Sequence, residues 1–276
     1  MRQGFDYIVA VGGDGTISEV ANGFLEGDEP VWPGAQLGIL PIGTGGDFRR
    51  TLGIPPDPRQ ATEILRTGVP LTIDLGKVTF VGHSGATESR YFVNLVSFGM
   101  GGDVAAASKN LLTPLGGRAA FLWATFTTFL AYRGKHVRLA LDPTAGAAAP
   151  AASSRSFFVT NVAVGNGQYH GGGMHPCPTA VPNDGALEVT VIDRLNWFEL
   201  VRDIRVLYSD NLYVHPKTHH FTVRNFRAEA DEPTRIEVDG EPLGTLPISI
   251  QVLPARLPVV VSASNPLLSR PAPIAR

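Results

Sequence analysis

Cysteine is nearly absent: Cys177 is the single thiol in 276 residues. One cysteine excludes an internal disulfide and fits a reducing, cytoplasmic setting. It lies between Pro176 and Pro178 without a charged neighbour, so nothing marks it as a nucleophile. An excess of one charge is missing too. Lys and Arg total 23 against 25 Asp and Glu, a net −2. The basic footprint of a nucleic-acid binder is therefore absent. No hydrophobic run is long enough to span a membrane. Residues 119–132 come nearest, but they fall short of the roughly 20 apolar residues a spanning helix needs. They read as a buried or inter-domain helix, with contact to lipid chains as the alternative. Met1 to Asp6 form no apolar signal segment, and no fixed-period repeat is visible. The seven histidines suggest no metal set. His219-His220 reads as a strand-edge pair, and His170 and His175 lack a third ligand nearby in the chain.

Glycine, by contrast, is plentiful, with 31 residues, and several of its turns carry an acid. Tyr7 to Val11 is an apolar run ending in Gly12-Gly13, as expected of a strand buried on both faces. Asp14-Gly15-Thr16 follows, and Thr16 and Glu19 have the spacing of a capping box. Ile17, Val20, Ala21 and Phe24 then give a helical apolar face. Glycines at such a turn let the backbone approach a phosphate, and the helix N-terminus offers N–H groups to an anion. Gln36 to Leu40 repeats the strand, and Gly43-Thr44-Gly45-Gly46-Asp47 repeats the acidic turn. It is neither a Walker loop, since no Lys-Ser/Thr follows, nor a dinucleotide fingerprint. Two such turns at neighbouring strand ends can face one phosphate site. Each alone is also compatible with a plain strand–helix turn in which the Asp only caps. Asp47 to Leu52 starts a short helix that Pro55 to Pro58 breaks, and residues 59–67 form a further helix ended by Gly68.

Beyond Leu71 the segments become short and β-like: 91–98, 135–141, 156–164, 187–192, 221–226, 234–238, 248–253 and 257–261. Helices are expected only near 117–133 and at 197–209, and 143–154 reads as a hairpin loop. The expected organisation is an α/β unit over 1–72, a β-sandwich over 73–264 and a tail over 265–276. Gly165 to Met174 is a long glycine-rich loop. Asn183-Asp184-Gly185 is either an oxygen-rich cation turn or a simple turn into the next strand. Glu237, Asp239 and Glu241 fall on one side if the strand there is regular, which calls for a cation or a raised pKa. A solvated hairpin edge turning at Asp239-Gly240 is the plainer reading.

Taken in order, Val11 to Gly23, Leu40 to Phe48, Phe98 to Val104, Gly165 to Met174, Asn183 to Leu187 and Val238 to Glu241 resemble the diacylglycerol kinase catalytic-domain family. That group includes bacterial lipid kinases and is related to sphingosine kinases and NAD kinases. The resemblance implies a Rossmann-like nucleotide domain of NAD-kinase type followed by a β-sandwich, with a site in the cleft between them. It implies ATP on Gly12, Gly13, Asp14, Gly15, Thr16 and Ser18, with Thr44 and Asp47 nearby. Glu241 matches the proton acceptor, with Asp239 and Asp14 arranging Mg²⁺ and its waters. Asp184, with the carbonyls of Val181 and Ala186, matches a structural Mg²⁺ site. The expected reaction is ATP-dependent phosphorylation of a lipid hydroxyl, with diacylglycerol first among acceptors. The chain would touch the membrane peripherally, and a homodimer through sandwich strands is compatible with it. Gly46 stands where the family usually has Asn. The family also has further strand–helix units ahead of the first turn, so the nucleotide domain is expected to be truncated. The alternative is an impaired remnant that binds lipid but not ATP productively; an NAD kinase is a third reading.

Overall fold

The computed structural model describes residues 4–43, 45–109, 131–143 and 153–269, together with Thr125, Thr127 and Thr128. Thr44, most of the helix expected at 117–133 and the loop at 144–152 lie outside the described residues.

The chain opens with β1 (Tyr7–Gly12) and α1 (Asp14–Asn22), then the small hairpin β2 (Leu25–Glu26) and β3 (Glu29–Pro30). It continues with β4 (Gln36–Pro41), α2 (Asp47–Thr51) and α3 (Pro58–Thr67). β1 and β4 pair in parallel, from Tyr7 opposite Gln36 to Gly12 opposite Pro41. Both acidic turns therefore leave the same edge of the sheet. α3 starts where Asp57 accepts the Arg59 N–H at 2.9 Å and Pro58 takes the first helical position. The capping box expected at Thr16 and Glu19 does not form. α1 begins at Asp14, behind Gly13, with no side-chain cap. Thr16 is thus already inside the first turn.

Next come β5 (Val69–Gly82), β6 (Thr87–Phe92), β7 (Leu95–Gly99), α4 (Met100–Lys109), β8 (Lys135–Pro143), β9 (Ser153–Gly165) and β10 (Leu187–Asp193). The chain closes with α5 (Trp197–Asp203), β11 (Thr218–Ala230), β12 (Arg235–Val238) and β13 (Glu241–Val261). β8 and β9 form the expected hairpin, Lys135 opposite Val159. The strand expected at 91–98 is broken at Val93–Asn94, and α5 gives way to 3₁₀ turns over Ile204–Tyr208.

Two large apolar cores result among the described residues. One joins Phe80, Phe92, Phe98, Val162, Val189, Phe226 and Ile250 inside the sandwich. The other joins Leu37, Ile39, Phe48, Leu52 and Ile73 with Leu257, Val259, Val261 and Leu267. The unit expected over 1–72 therefore draws part of its core from the far end of the chain. The strands expected at 248–253 and 257–261 are one 21-residue element, β13. Its register shifts between Leu253 and Leu257, around Ala255 at φ 52°. Beyond that point Val259 meets Leu37 in parallel, while β5 still runs antiparallel alongside. The start of the expected tail is also packed: Asn265 donates to the Leu52 carbonyl at 2.7 Å. On the open side of the sheet, Val9, Val11 and Ile42 are exposed. Among the described residues, no helix is long and apolar enough to cross a membrane.

Candidate functional site

The two acidic turns are tied together by Asp14. Its carboxylate accepts the N–H groups of Gly46, Asp47 and Phe48 at 2.8, 3.1 and 3.0 Å. It caps α2 from a distance, in place of any cap of its own helix. Gly46 adopts φ 68°, a left-handed conformation that Gly and Asn tolerate best. Loss of an Asn at this position therefore leaves the turn in place. A Cβ on Gly12 would strike Thr16, yet one on Gly13 or Gly15 would meet nothing within 4 Å. The open ground over Gly13 and Gly15, beside the uncapped start of α1, has the shape and the donors for a phosphate. On these grounds the residues present fit ATP phosphates.

Asp239 plays the corresponding part on the other side of the cleft. β12 stops at Val238, and Asp239-Gly240 forms a two-residue turn with φ 49° and 88°. The regular alternation that would have stacked three acids on one face is thereby broken. Asp239 accepts the N–H groups of Val93, Asn94 and Leu95, each at 3.0 Å, and the hydroxyl of buried Ser18. This explains the break between β6 and β7. Burial pushes the Asp239 carboxyl up to about 6, against those four donors. Glu241 is half-buried, 3.5 Å from Arg90. Asp14 and Asp239 thus each hold backbone N–H groups in place, and their remaining lone pairs are the ones that would face Mg²⁺ waters.

Asp184 sits in the 183–186 turn and accepts the Ala186 N–H at 3.0 Å. The residue is exposed, but desolvation of its carboxyl within the turn, with like charge from Asp74 and Glu188, pushes it up to about 6. Asp74 is fully buried and bonds the Gly185 and Ala255 N–H groups at 2.6 and 2.7 Å. Uncompensated negative charge at a turn rich in carbonyls fits a hard cation on Asp184. Among the described residues, no three His, Cys, Asp or Glu side chains converge, so carbonyls would have to supply the remaining ligands. Cys177 is buried, and burial pushes its thiol up to about 12, which makes it inert.

His170, Glu237 and Ser97 escaped the sequence reading as a group. Glu237 is 1 % exposed and accepts from Ser97 Oγ at 2.7 Å and from His170 Nε2 at 3.0 Å. Burial pulls the imidazole down, but Glu237 first, then Asp47 and Asp14, outweigh it and push His170 up to about 9. The glycine-rich loop carrying His170 is pinned to α2, where Asp47 accepts the Gly172 N–H at 2.7 Å. Asn166 secures the same loop from below, bonding the carbonyls of Asp74 and Val93. The signal in the sequence is the place of His170 inside that glycine-rich loop. Next to this group lies a cavity of about 380 Å³, lined mainly by apolar side chains of β7, α4, β9 and α5, with Ser97 and His170 on its wall.

Residues 94–261 match the YegS C-terminal NAD kinase beta sandwich-like domain, and residues 1–78 match the diacylglycerol kinase catalytic domain. A probable lipid kinase YegS-like of Pseudomonas putida is 31 % identical across 98 % of this chain and 82 % of its own length. A namesake from Pseudomonas aeruginosa (strain UCBPP-PA14) is 32 % identical over the same shares. A solved structure of a diacylglycerol kinase from Bacillus anthracis shares the fold, with a TM-score of 0.63 at 20 % identity, covering 94 % of this chain and 78 % of that one. Fold and matched domains together define the class: a lipid kinase with a nucleotide-binding unit and a β-sandwich. Within it, the chain belongs to the YegS-like lipid kinase family.

Proposed function

We propose that this protein transfers the γ-phosphoryl group of ATP to the hydroxyl of a membrane lipid, diacylglycerol being the acceptor that the reading favours. The observation that carries it is a juxtaposition. The open glycine turns at Gly13 and Gly15 and the apolar cavity are joined by one loop, whose Gly172 binds Asp47 and whose His170 lines the cavity. Phosphoryl transfer needs positioning and charge neutralisation more than covalent chemistry.

Backbone N–H groups at the start of α1 hold the phosphates. Glu241 accepts the proton of the lipid hydroxyl as its oxygen bonds to the γ-phosphorus and the bond to the β–γ bridging oxygen breaks, releasing ADP. Arg90, 3.5 Å away, holds the Glu241 side chain in place. Asp184, with the carbonyls of Val181 and Ala186, would hold Mg²⁺, whose chemistry is charge neutralisation. Trp197, Val201, Ile204 and Tyr208 line the cavity and are exposed, and they suit peripheral contact with a bilayer.

The test is Glu241→Gln assayed with labelled ATP and a panel of lipids in mixed micelles. Loss of a general base is expected to lower kcat by roughly 10²–10⁴-fold, with an unchanged melting temperature. Full turnover in that variant rejects the assignment.

A further inference from the structure

The polar group on the cavity wall has no part in the transfer step just described. Glu237 lies behind the wall, 1 % exposed, while Ser97 and His170 face the space. A carboxylate this deep needs a counter-ion and hydrogen-bond donors beside it. His170 Nε2 at 3.0 Å and Ser97 Oγ at 2.7 Å supply them. The cavity therefore meets the imidazolium side of the pair, not the carboxylate. The same ring feels Asp47 and Asp14, so it marks the end of the cavity nearest the phosphate turns. The lipid headgroup must lie there if its hydroxyl is to be phosphorylated. The rest of the wall nearby, Leu95, Met174 and Ala163, is apolar.

Resting on the lipid kinase reading, we propose that His170, held by Glu237 and Ser97, is a specificity-determining residue that favours acyl lipids presenting ester oxygens at the cavity head and disfavours lipids carrying an ammonium group there. The reason is the sign of the charge. In a site shielded from water, a cation attracts a carbonyl oxygen and repels a second cation far more strongly than it would in bulk solvent. Glu237 offsets the charge of His170 at a distance, but the nearer group dominates what the ligand meets.

The test compares a short-chain diacylglycerol with a short-chain sphingoid base in mixed micelles, using the full chain. Binding is read from the fluorescence of Trp197, which lines the cavity, and turnover is read separately. Wild type is expected to bind the ester lipid at least about tenfold more tightly than the base. His170→Gln is expected to bring that ratio to within about twofold, weakening the ester lipid and tightening the base, while KM for ATP stays constant. Glu237→Gln removes the carboxylate that holds the proton on this buried imidazole; burial then favours the neutral ring, so the ratio is expected to shrink in the same direction, and this variant decides the matter should His170→Gln fail to fold. An unchanged ratio, or an equal loss for both lipids, overturns the inference, since either would mean that His170 only packs. Wild type binding neither lipid also overturns it. Wild type binding the ester lipid selectively without transferring phosphate sinks the kinase reading but leaves the selectivity of His170 standing.

Discussion

In the α/β region, Asp14 accepts three backbone N–H groups at the start of α2; in the sandwich, Glu237 meets the side chains of Ser97 and His170. Both are acids near the cleft, yet they do different work. A carboxylate bonded to consecutive backbone amides fixes the path of the chain, because those amides have no other partner at a helix start. A carboxylate bonded to side chains sets the charge that a ligand meets. Asp239 and Asp74 follow the first pattern, holding Val93–Leu95 and Gly185 with Ala255. The acids of this molecule thus divide into those that shape the backbone and those that tune a surface. The division can be broken by experiment.

The largest effect is expected at Asp14. Asp14→Ala removes three charge-assisted bonds and leaves the first turn of α2 uncapped. At about 1–1.5 kcal/mol each, the loss should reach about 4 kcal/mol in urea unfolding. A loss below about 1 kcal/mol would show that water replaces the cap and would remove Asp14 from the shaping group.

Asp239 should show its role through pH. Its folded-state pKa, about 6, lies above the ordinary 3.8. The folded state therefore favours the protonated form. The associated stability is fully present below about pH 4 and is lost as pH rises through about 6, a change of up to about 3 kcal/mol for a shift of that size. Urea midpoints between pH 4 and pH 7 should fall more steeply in wild type than in Asp239→Asn. Equal slopes would mean that the anchor bonds, not burial, control the group.

Gly13→Val separates shape from stability. The added side chain meets no protein atom near its base, so unfolding should change by less than about 1 kcal/mol. It does fill the open ground over the turn, and KM for ATP should rise by roughly thirtyfold, about 2 kcal/mol. An unchanged KM would place the phosphates elsewhere.

Much of this division was visible in the chain. The acidic turns at Asp14 and Asp47 are contiguous, and their glycines and flanking apolar runs announce a strand, a turn and a helix. The β-rich remainder was visible from Val, Ile and Phe spacing. The partners of the acids were not. Ser97 and Glu237 are 140 residues apart, and Asp239 lies 144 to 146 residues from the amides it binds. No local pattern encodes such pairings. The capping box failed for a related reason: Asp14 was drawn across to α2, so α1 started earlier than its own sequence suggested. The return of 257–261 to the first core was hidden because an apolar strand reads alike in either core. The role of His170 leaves no spacing signature, because its carboxylate lies 67 residues further along the chain.

The smallest predicted effect tests the surface limit of the same comparison. Asp28, at φ 72°, is bonded mainly by side chains, Lys77 Nζ at 2.7 and 2.8 Å and Tyr91 Oη at 2.6 Å. It resembles Glu237 in that respect, but Lys77 and Asp28 are 26 % and 30 % exposed. Water and salt therefore screen the pair. Lys77→Met should cost only about 0.5 kcal/mol, less at high salt, with activity unchanged. Tyr91 would still donate to Asp28, so the carboxylate is not left stranded. A loss above about 2 kcal/mol would show that side-chain-bonded acids on this face also shape the fold, and the distinction between Asp14 and Glu237 would then rest on burial rather than on the kind of donor.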